Sequence, residues 1–143
     1  MEKGNVEVGK RMEQITVATG TFEATLTPTD YCSVPGIRSI SFEKTYHGHL
    51  QGTSRGEMLL AGDPEGGNAG YVAIEQVTGT LAGRTGSFAL MHAGTAVNRE
   101  EAIVRVIVVP GTTGGELAGL QGTMTIAFTA GEQHPYSFEF GFA

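Results

Sequence analysis

Two glutamates and a histidine carry most of the chemistry that this 143-residue chain offers. Glu57, Glu75 and His92 lie in segments where apolar and polar residues alternate, and each of these side chains can hold or transfer a proton. Burial of a carboxylate in an apolar interior raises its pKa, and a neighbouring histidine is then held in one tautomer. Glu75, Glu57 and His92 are therefore the catalytic candidates. The candidate ligand-binding residues are Tyr71, Glu75, His92, Glu57, Tyr46 and Lys44.

The same residues are also compatible with purely structural roles. Glu75 and Glu57 can be solvated surface carboxylates, and His92 can be a hydrogen-bonded histidine of the core. Lys44 and Tyr46 can pack their stems against the protein while their polar tips stay in water. The choice depends on which face of its strand each residue occupies.

The elements that must position these side chains are β-strands. Runs of β-branched and aromatic residues alternate with polar residues between glycine clusters, and no window combines helical spacing with capping residues. The eight predicted strands are Ile15–Leu26, Ile37–Leu50, Thr53–Ala61, Gly70–Leu81, Arg84–Gly94, Glu101–Leu117, Leu120–Ala130 and His134–Phe142. Short connections favour an antiparallel meander that closes into an eight-stranded barrel, with a two-sheet sandwich as the alternative.

A repeated glycine pattern decides the predicted register of the strand that carries Glu75. The segment GTLAGRTG, Gly79–Gly86, has the pattern G-x-L-x-G-x-x-G and joins two predicted strands. A two-residue turn at Ala82–Gly83 places Glu75 opposite Leu90 and on the same face as His92. A three-residue loop with a glycine bulge shifts the pairing by one and turns Glu75 to the other face.

A similar argument predicts the neighbouring hairpin. If Leu50 and Thr53 flank a two-residue turn, Glu57 lies opposite Tyr46, and Lys44 shares their face. These three side chains then line the same interior as Glu75. The last predicted strand adds a row of four aromatic residues on one face, which indicates barrel core.

Three segments are similar to an uncharacterised bacterial family. They are Ala18–Pro28 (ATGTFEATLTP), Gly70–Gly94 (GYVAIEQVTGTLAGRTGSFALMHAG) and Val108–Gly122 (VVPGTTGGELAGLQG). Members of that family look like the allene oxide cyclase barrel, so the resemblance implies a closed eight-stranded antiparallel fold. The resemblance implies no established activity. Ala82 stands where the family resemblance leads us to expect an acidic turn residue.

Composition and charge limit the partners and the compartment. A formal net charge of −6 argues against nucleic-acid binding, and no apolar run approaches the ~20 residues that cross a bilayer. Cys32 is the only cysteine, so no intramolecular disulfide forms, and we expect a cytoplasmic protein.

The predicted organisation is a flexible leader over residues 1–13 and one barrel domain over residues 14–143. We predict no cofactor and no metal, because the HGH sequence at His47–His49 lacks the spacing of a cupin site.

The predicted function is binding of a small apolar or amphipathic molecule inside the barrel. One alternative is a cofactor-free cyclase or isomerase of such a molecule, and another is an oligomeric structural or interaction protein with a filled barrel. The sequence does not decide between binder and enzyme.

The stretch AIVRVIVV, Ala102–Val109, is apolar on both faces of its strand. Its outward apolar residues would be exposed to water in a monomer, so we predict a homo-oligomer formed partly through this strand.

Overall fold

The computed structural model describes residues 14–127 and 131–143, which form nine β-strands. The strands are β1 Thr16–Thr29, β2 Ile37–Gly48, β3 Leu50–Asp63, β4 Asn68–Leu81, β5 Arg84–Val97, β6 Glu100–Val108, β7 Gly114–Gly115, β8 Leu120–Ile126 and β9 His134–Phe142. The predicted leader and the end of the predicted strand at residues 128–130 lie outside the described residues. Among the residues described, no helix is long and apolar enough to cross a membrane.

Eight of these strands close into an antiparallel barrel. Each strand from β1 to β5 pairs with the next, β6 pairs with β8, β8 with β9, and β9 with β1. The two-residue β7 adds to the edge of β5 after the chain has turned at Pro110, so the predicted sixth strand is broken there. The closed barrel is confirmed and the sandwich is wrong; likeness to allene oxide cyclase stays a prediction.

The turn between β4 and β5 has the predicted length. Leu81 pairs with Arg84 across Ala82 and Gly83, whose φ angles are 50° and 89°. Two successive positive φ values are typical of the two-residue turn that fits the twist of a hairpin. Glu75 therefore lies opposite Leu90, as predicted, and the bulged alternative is wrong.

The turn between β2 and β3 differs from the prediction and moves Glu57 out of the barrel. Glu57 pairs with Ser41, five residues from its predicted partner Tyr46, and an odd shift in register reverses the face of a strand. The chain turns early, at Gly48 (φ 105°), because β2 packs closely against β1 there. A Cβ atom at Gly48 would lie 2.7 Å from Cα of Gly20.

Large apolar side chains fill most of the interior. The fully buried ones are Phe22, Leu50, Val77, Leu81, Phe88, Leu90, Val106, Leu117 and Phe138. The aromatic row on β9 faces this core as predicted: Tyr136, Phe138 and Phe140 are buried, and Phe142 packs against it.

Candidate functional site

The carboxylate of Glu75 is the centre of a buried polar cluster inside the barrel. Its Oε1 atom accepts hydrogen bonds from Nζ of Lys44 at 2.9 Å and from Nε2 of His92 at 2.5 Å. Its Oε2 atom accepts hydrogen bonds from the hydroxyl groups of Tyr46 and Ser54, both at 2.6 Å. Glu75 has no solvent exposure, and none of its four partners is more than 7% exposed. These five residues are called the Glu75 cluster below.

Four neighbouring strands supply the cluster from their inward-facing positions. Lys44 and Tyr46 come from β2, Ser54 from β3, Glu75 from β4 and His92 from β5. Directly opposite Glu75 on β3 is Gly56, and the ring of Phe42 occupies the space that a side chain there would need. A Cβ atom at Gly56 would lie 2.3 Å from Cζ of Phe42. The glycine therefore lets an aromatic ring pack on the barrel wall beside the cluster.

Glu75 stays ionised in spite of its burial. Burial is the largest single effect and raises its pKa, but the hydrogen bond from His92 and the positive charge of Lys44 oppose it. Together with the charge of His92 and the hydrogen bond from Ser54, they lower the pKa of Glu75 from 4.5 to about 2. The predicted rise in pKa is wrong, because the prediction considered desolvation without the donors on other strands.

The same hydrogen bonds leave Glu75 little capacity for acid–base chemistry. A carboxylate offers about four lone-pair sites, and four protein donors occupy those of Glu75. A general base needs a free lone pair within reach of the substrate and a pKa close to the working pH. Glu75 meets neither condition, so its geometry is that of a residue that positions its partners.

Tyr46 and Lys44 are held as donors within the barrel. Burial, followed by the negative charge of Glu75, raises the pKa of Tyr46 well above 10, so its hydroxyl keeps its proton. Nζ of Lys44 lies 4.7 Å from the ring centre of Phe22 and 5.4 Å from that of Phe42, distances at which a cation is attracted to an aromatic face. The alternative with both polar tips in water is therefore wrong.

A pocket of about 110 Å³ opens between the Glu75 cluster and one end of the barrel. Its lining residues are Ala24, Leu26, Phe42, Lys44, Met58, Tyr71, Ala73, His92 and Ile126. Most of this lining is apolar, whereas Lys44 and His92 present the polar groups of the cluster. We call this space the mouth pocket.

The structure brings together five of the six candidate ligand-binding residues inside the barrel. Tyr71, Lys44 and His92 line the mouth pocket. Glu75 and Tyr46 belong to the cluster but do not line that pocket. Glu57 lies on the outer face, where its Oε2 atom accepts a hydrogen bond from Oγ of Ser41 at 2.8 Å. Glu57 therefore does not line the mouth pocket.

Two polar residues near the site escaped the sequence analysis. Ser54 was missed because the wrong register turned β3 over; its alternation with Leu50 and Gly52 was the available signal. Glu101 lies close enough to Tyr71 for its negative charge, after burial, to raise the pKa of the Tyr71 hydroxyl. Its position follows a bulge in the pairing of β5 with β6, which no local pattern in the sequence indicates.

The two histidines of the HGH sequence have partners of their own. Nε2 of His47 lies 2.7 Å from Oε1 of Glu23, and Nδ1 of His49 accepts a hydrogen bond from the backbone nitrogen of Thr19 at 3.0 Å. Across the part of the chain that the structure describes, no three His, Cys, Asp or Glu side chains are grouped as metal ligands.

Comparison with known proteins identifies relatives without an assigned activity. A family model described as "Protein of unknown function (DUF3224)" matches residues 18–140. The crystal structure of a DUF3224 protein of unknown function from Shewanella oneidensis MR-1 is 43% identical, with a TM-score of 0.81. That alignment covers 91% of this chain and 98% of the Shewanella chain. The search of curated proteins gave no match.

Proposed function

We propose that this chain, which belongs to the DUF3224 family of proteins of unknown function, binds a small amphipathic molecule in its mouth pocket. One observation carries the proposal: apolar walls lead from the barrel end to the side chains of Lys44 and His92. Ligand pockets are mostly apolar and contain a few polar groups that orient the ligand. The mouth pocket has that composition.

The donors that remain on the cluster define the head group of the ligand. A lysine ammonium group has three N–H donors, of which Glu75 accepts one. His92 uses Nε2 on Glu75, so its Nδ1 accepts a hydrogen bond when the ring is neutral and donates one when the ring is protonated. Since Lys44 supplies donors only, the matching head group is a hydrogen-bond acceptor, and a carboxylate also complements its charge.

The size of the pocket limits the part of the ligand that enters. A volume of about 110 Å³ corresponds to about four water molecules at ~30 Å³ each. A carboxylate with a few carbon atoms fits, while a longer chain has to leave through the mouth. Leu26 and Tyr71 lie on that path. The ligand class is thus a short- or medium-chain carboxylic acid, or a carbonyl compound of that size.

The cyclase or isomerase alternative receives less support from the geometry. It assigned a proton-transfer role to Glu75 or Glu57. Glu75 is saturated by four donors, and Glu57 faces away from the barrel interior. His92 is the remaining candidate for proton transfer. Because neither glutamate can take the role that this alternative assigned to it, non-catalytic binding is the function that the arrangement favours.

The test is a titration of the isotopically labelled protein with hexanoate, hexanol and hexylamine, followed by NMR. Hexanoate is expected to shift the amide signals around Lys44, Ala73 and His92, and hexylamine is expected to have no such effect. Ala24→Leu fills the pocket without altering a charge and should abolish binding. The neighbouring Thr25→Leu, whose side chain points outward, should bind like the wild type. Equal responses to all three probes, or hexanoate binding by Ala24→Leu, would contradict the proposal.

A second measurement identifies the natural ligand. Native mass spectrometry of the protein purified from its own host should show an added mass that is lost in Ala24→Leu.

Cytoplasmic location belongs to the same proposal. It is supported by the single cysteine, Cys32, which is free and needs no oxidising compartment.

A further inference from the structure

The outer wall of the barrel is polar on one side and carries an apolar patch on the other. Outward positions on the polar side carry Thr21, Glu23 and Thr25 of β1, Thr123 and Thr125 of β8, and Ser137 and Glu139 of β9. On β3 to β6, one stretch of outward positions carries mainly aliphatic side chains, whereas Arg55, Gln76 and Thr78 face outward farther along the same strands. Because both sides belong to the same barrel, the fold itself does not require this difference. A large exposed apolar patch usually marks an interaction surface.

The strand pairing arranges the apolar side in two rows across four strands. One row contains Glu57, Ile74, Met91 and Ile107, and the other contains Leu59, Val72, Ala93 and Arg105. Val72 is 53% exposed and Ile74 is 57% exposed. We call these eight residues the outer apolar face.

The loop between β1 and β2 turns the outer apolar face into a groove. Tyr31 and Cys32 of this loop border a cavity of about 750 Å³, whose other lining residues include Leu59, Val72, Ile74 and Met91. Tyr31 is itself 72% exposed. Of the ten large apolar side chains that are exposed among the described residues, five line this groove.

The only two ionisable side chains of the outer apolar face have opposite charges and stand at opposite ends of it. Glu57 lies on β3 in the first row and Arg105 on β6 in the second. Three strand spacings and one offset of two residues separate them, which is roughly 15 Å. They are therefore too far apart to pair within one chain. Arg105 also forms no ion pair with another described residue, whereas Glu57 accepts a hydrogen bond from Ser41.

We infer that the outer apolar face binds a second copy of this chain in a two-fold symmetric dimer. In such a dimer the same patch contacts itself. A two-fold axis in the plane of contact, midway between Glu57 and Arg105, brings each glutamate against the arginine of the other copy. Both ion pairs then form, and Val72, Ile74 and Met91 lose their contact with water. The inference concerns the outer wall and does not depend on the mouth pocket.

The N-terminal segment of the chain is a poorer occupant of the groove. Residues 1–13 include six charged side chains, whereas the groove is mainly apolar. Residue 16, where β1 begins, pairs with Phe140 at the opposite end of β1 from the loop that carries Tyr31. A second copy supplies both the apolar area and the matching charges.

The test is sedimentation velocity of the full chain at micromolar concentration. We expect a dimer for the wild type and a monomer for Ile74→Glu. Arg105→Glu should weaken association roughly tenfold or more by opposing two glutamates. The exchange Glu57→Arg with Arg105→Glu should restore the dimer, because both pairs form again with reversed signs. Thr25→Glu, on the polar side, should leave the dimer intact.

Three results would overturn the inference: a monomeric wild type, a dimeric Ile74→Glu variant, or no recovery in the charge exchange. Circular dichroism and thermal unfolding of each variant show that the barrel is folded. Binding of the hydrophobic dye 1-anilinonaphthalene-8-sulfonate tests whether the groove holds a small molecule instead of a second copy of the chain. If the wild type is a monomer that binds the dye and Ile74→Glu does not, the groove is a small-molecule site and the dimer is wrong.

Discussion

Nε2 of His92 lies 2.5 Å from Oε1 of Glu75, with both side chains buried in the barrel. An ionised carboxylate only accepts hydrogen bonds, so the proton between these atoms belongs to Nε2. Glu75 therefore keeps a proton on Nε2 of His92, and Nδ1 is the ring atom that remains for a ligand. Glu75 does not line the mouth pocket, but through His92, which lies two positions from its strand partner Leu90, it controls what the pocket presents.

The first prediction concerns the proton on Nε2 of His92. Long-range ¹H–¹⁵N spectra of the wild type should show a protonated Nε2 in His92, and this preference should weaken in Glu75→Gln. His49 is an internal control, because its Nδ1 accepts a hydrogen bond from the backbone of Thr19 and does not depend on Glu75. A His92 ring protonated only at Nδ1 in the wild type would contradict the assignment.

The second prediction is strong coupling between Lys44 and Glu75. Lys44→Met leaves a buried carboxylate without its cation and should cost about 3–5 kcal/mol of unfolding free energy. Lys44→Met with Glu75→Gln should cost less than the sum of the two single changes, by about 0.5–3 kcal/mol. Urea unfolding of the four proteins gives the coupling. Glu23 and His47, whose side chains are 41% and 49% exposed, form the control pair, with a coupling of about 0–1 kcal/mol.

The third prediction is a loss of stability in acid. The pKa of Glu75 is about 2 in the folded protein, below its ordinary value of 4.5. A carboxyl group with a lowered pKa stabilises the fold above its unfolded-state pKa, and this contribution disappears as the pH falls towards the folded-state pKa. Stability should therefore decrease between about pH 5 and pH 2, by on the order of 3 kcal/mol for this group.

Urea unfolding at a series of pH values measures this decrease. In Glu75→Gln the dependence within that window should be smaller, since the titrating group is absent. Glu43→Gln removes an exposed carboxylate from β2 and should keep the wild-type profile. Identical profiles for the wild type and Glu75→Gln would refute the assignment of the acid transition to Glu75.

The fourth prediction concerns the turn between β4 and β5. Ala82 has a φ of 50°, a left-handed conformation that costs a residue with a Cβ atom about 1–2 kcal/mol. Asparagine tolerates this conformation, and Asn-Gly is the preferred pair for such a turn. Ala82→Asn should therefore raise the unfolding free energy by about 1 kcal/mol, and Ala82→Val should lower it. A neutral or destabilising Ala82→Asn would show that the turn is not strained.

The fifth prediction concerns the close contact at Gly56. A Cβ atom there would lie 2.3 Å from Cζ of Phe42 and 2.7 Å from the carbonyl oxygen of Ile74. Gly56→Ala should therefore destabilise the barrel by about 1–3 kcal/mol. Gly70→Ala on β4 is the matched control, because its nearest contact would be an ordinary 3.5 Å from Cγ2 of Thr95. Thermal unfolding of both variants is the measurement, and equal effects would contradict the packing argument.

The parts of the fold that depend on local patterns were predictable from the sequence. Alternation located the strands, and a two-residue turn at Ala82–Gly83 defined the register that puts Glu75 and His92 on one face. The register of β3 was not predictable in this way. It depends on the approach of Gly48 to Gly20, which lie on different strands and are separated by an entire hairpin.

The sequence predicted which residues belong to the candidate site better than it predicted the pKa of Glu75 and its hydrogen bonds. Lys44, Tyr46 and His92 do face the interior with Glu75, although Tyr46 and Lys44 were grouped with Glu57 through a wrong register. The pKa of Glu75 depends on donors that three other strands bring to one carboxylate. Alternation within a single strand reports burial, and it contains no information on which polar groups meet across the barrel.

The pairing of β1 with β9 has a consequence for synthesis of the protein on the ribosome. Residues 16–22 of β1 find their partners only at residues 134–140, so the barrel cannot close until β9 has emerged. Before that moment β1 and β8 both present open strand edges, which are prone to intermolecular pairing. The hydroxyl group of Tyr136 then joins β9 to the turn between β2 and β3, through the carbonyl of His47 and the amide of Leu50. Translation of β9 is therefore the step at which a nascent, aggregation-prone sheet becomes a closed barrel.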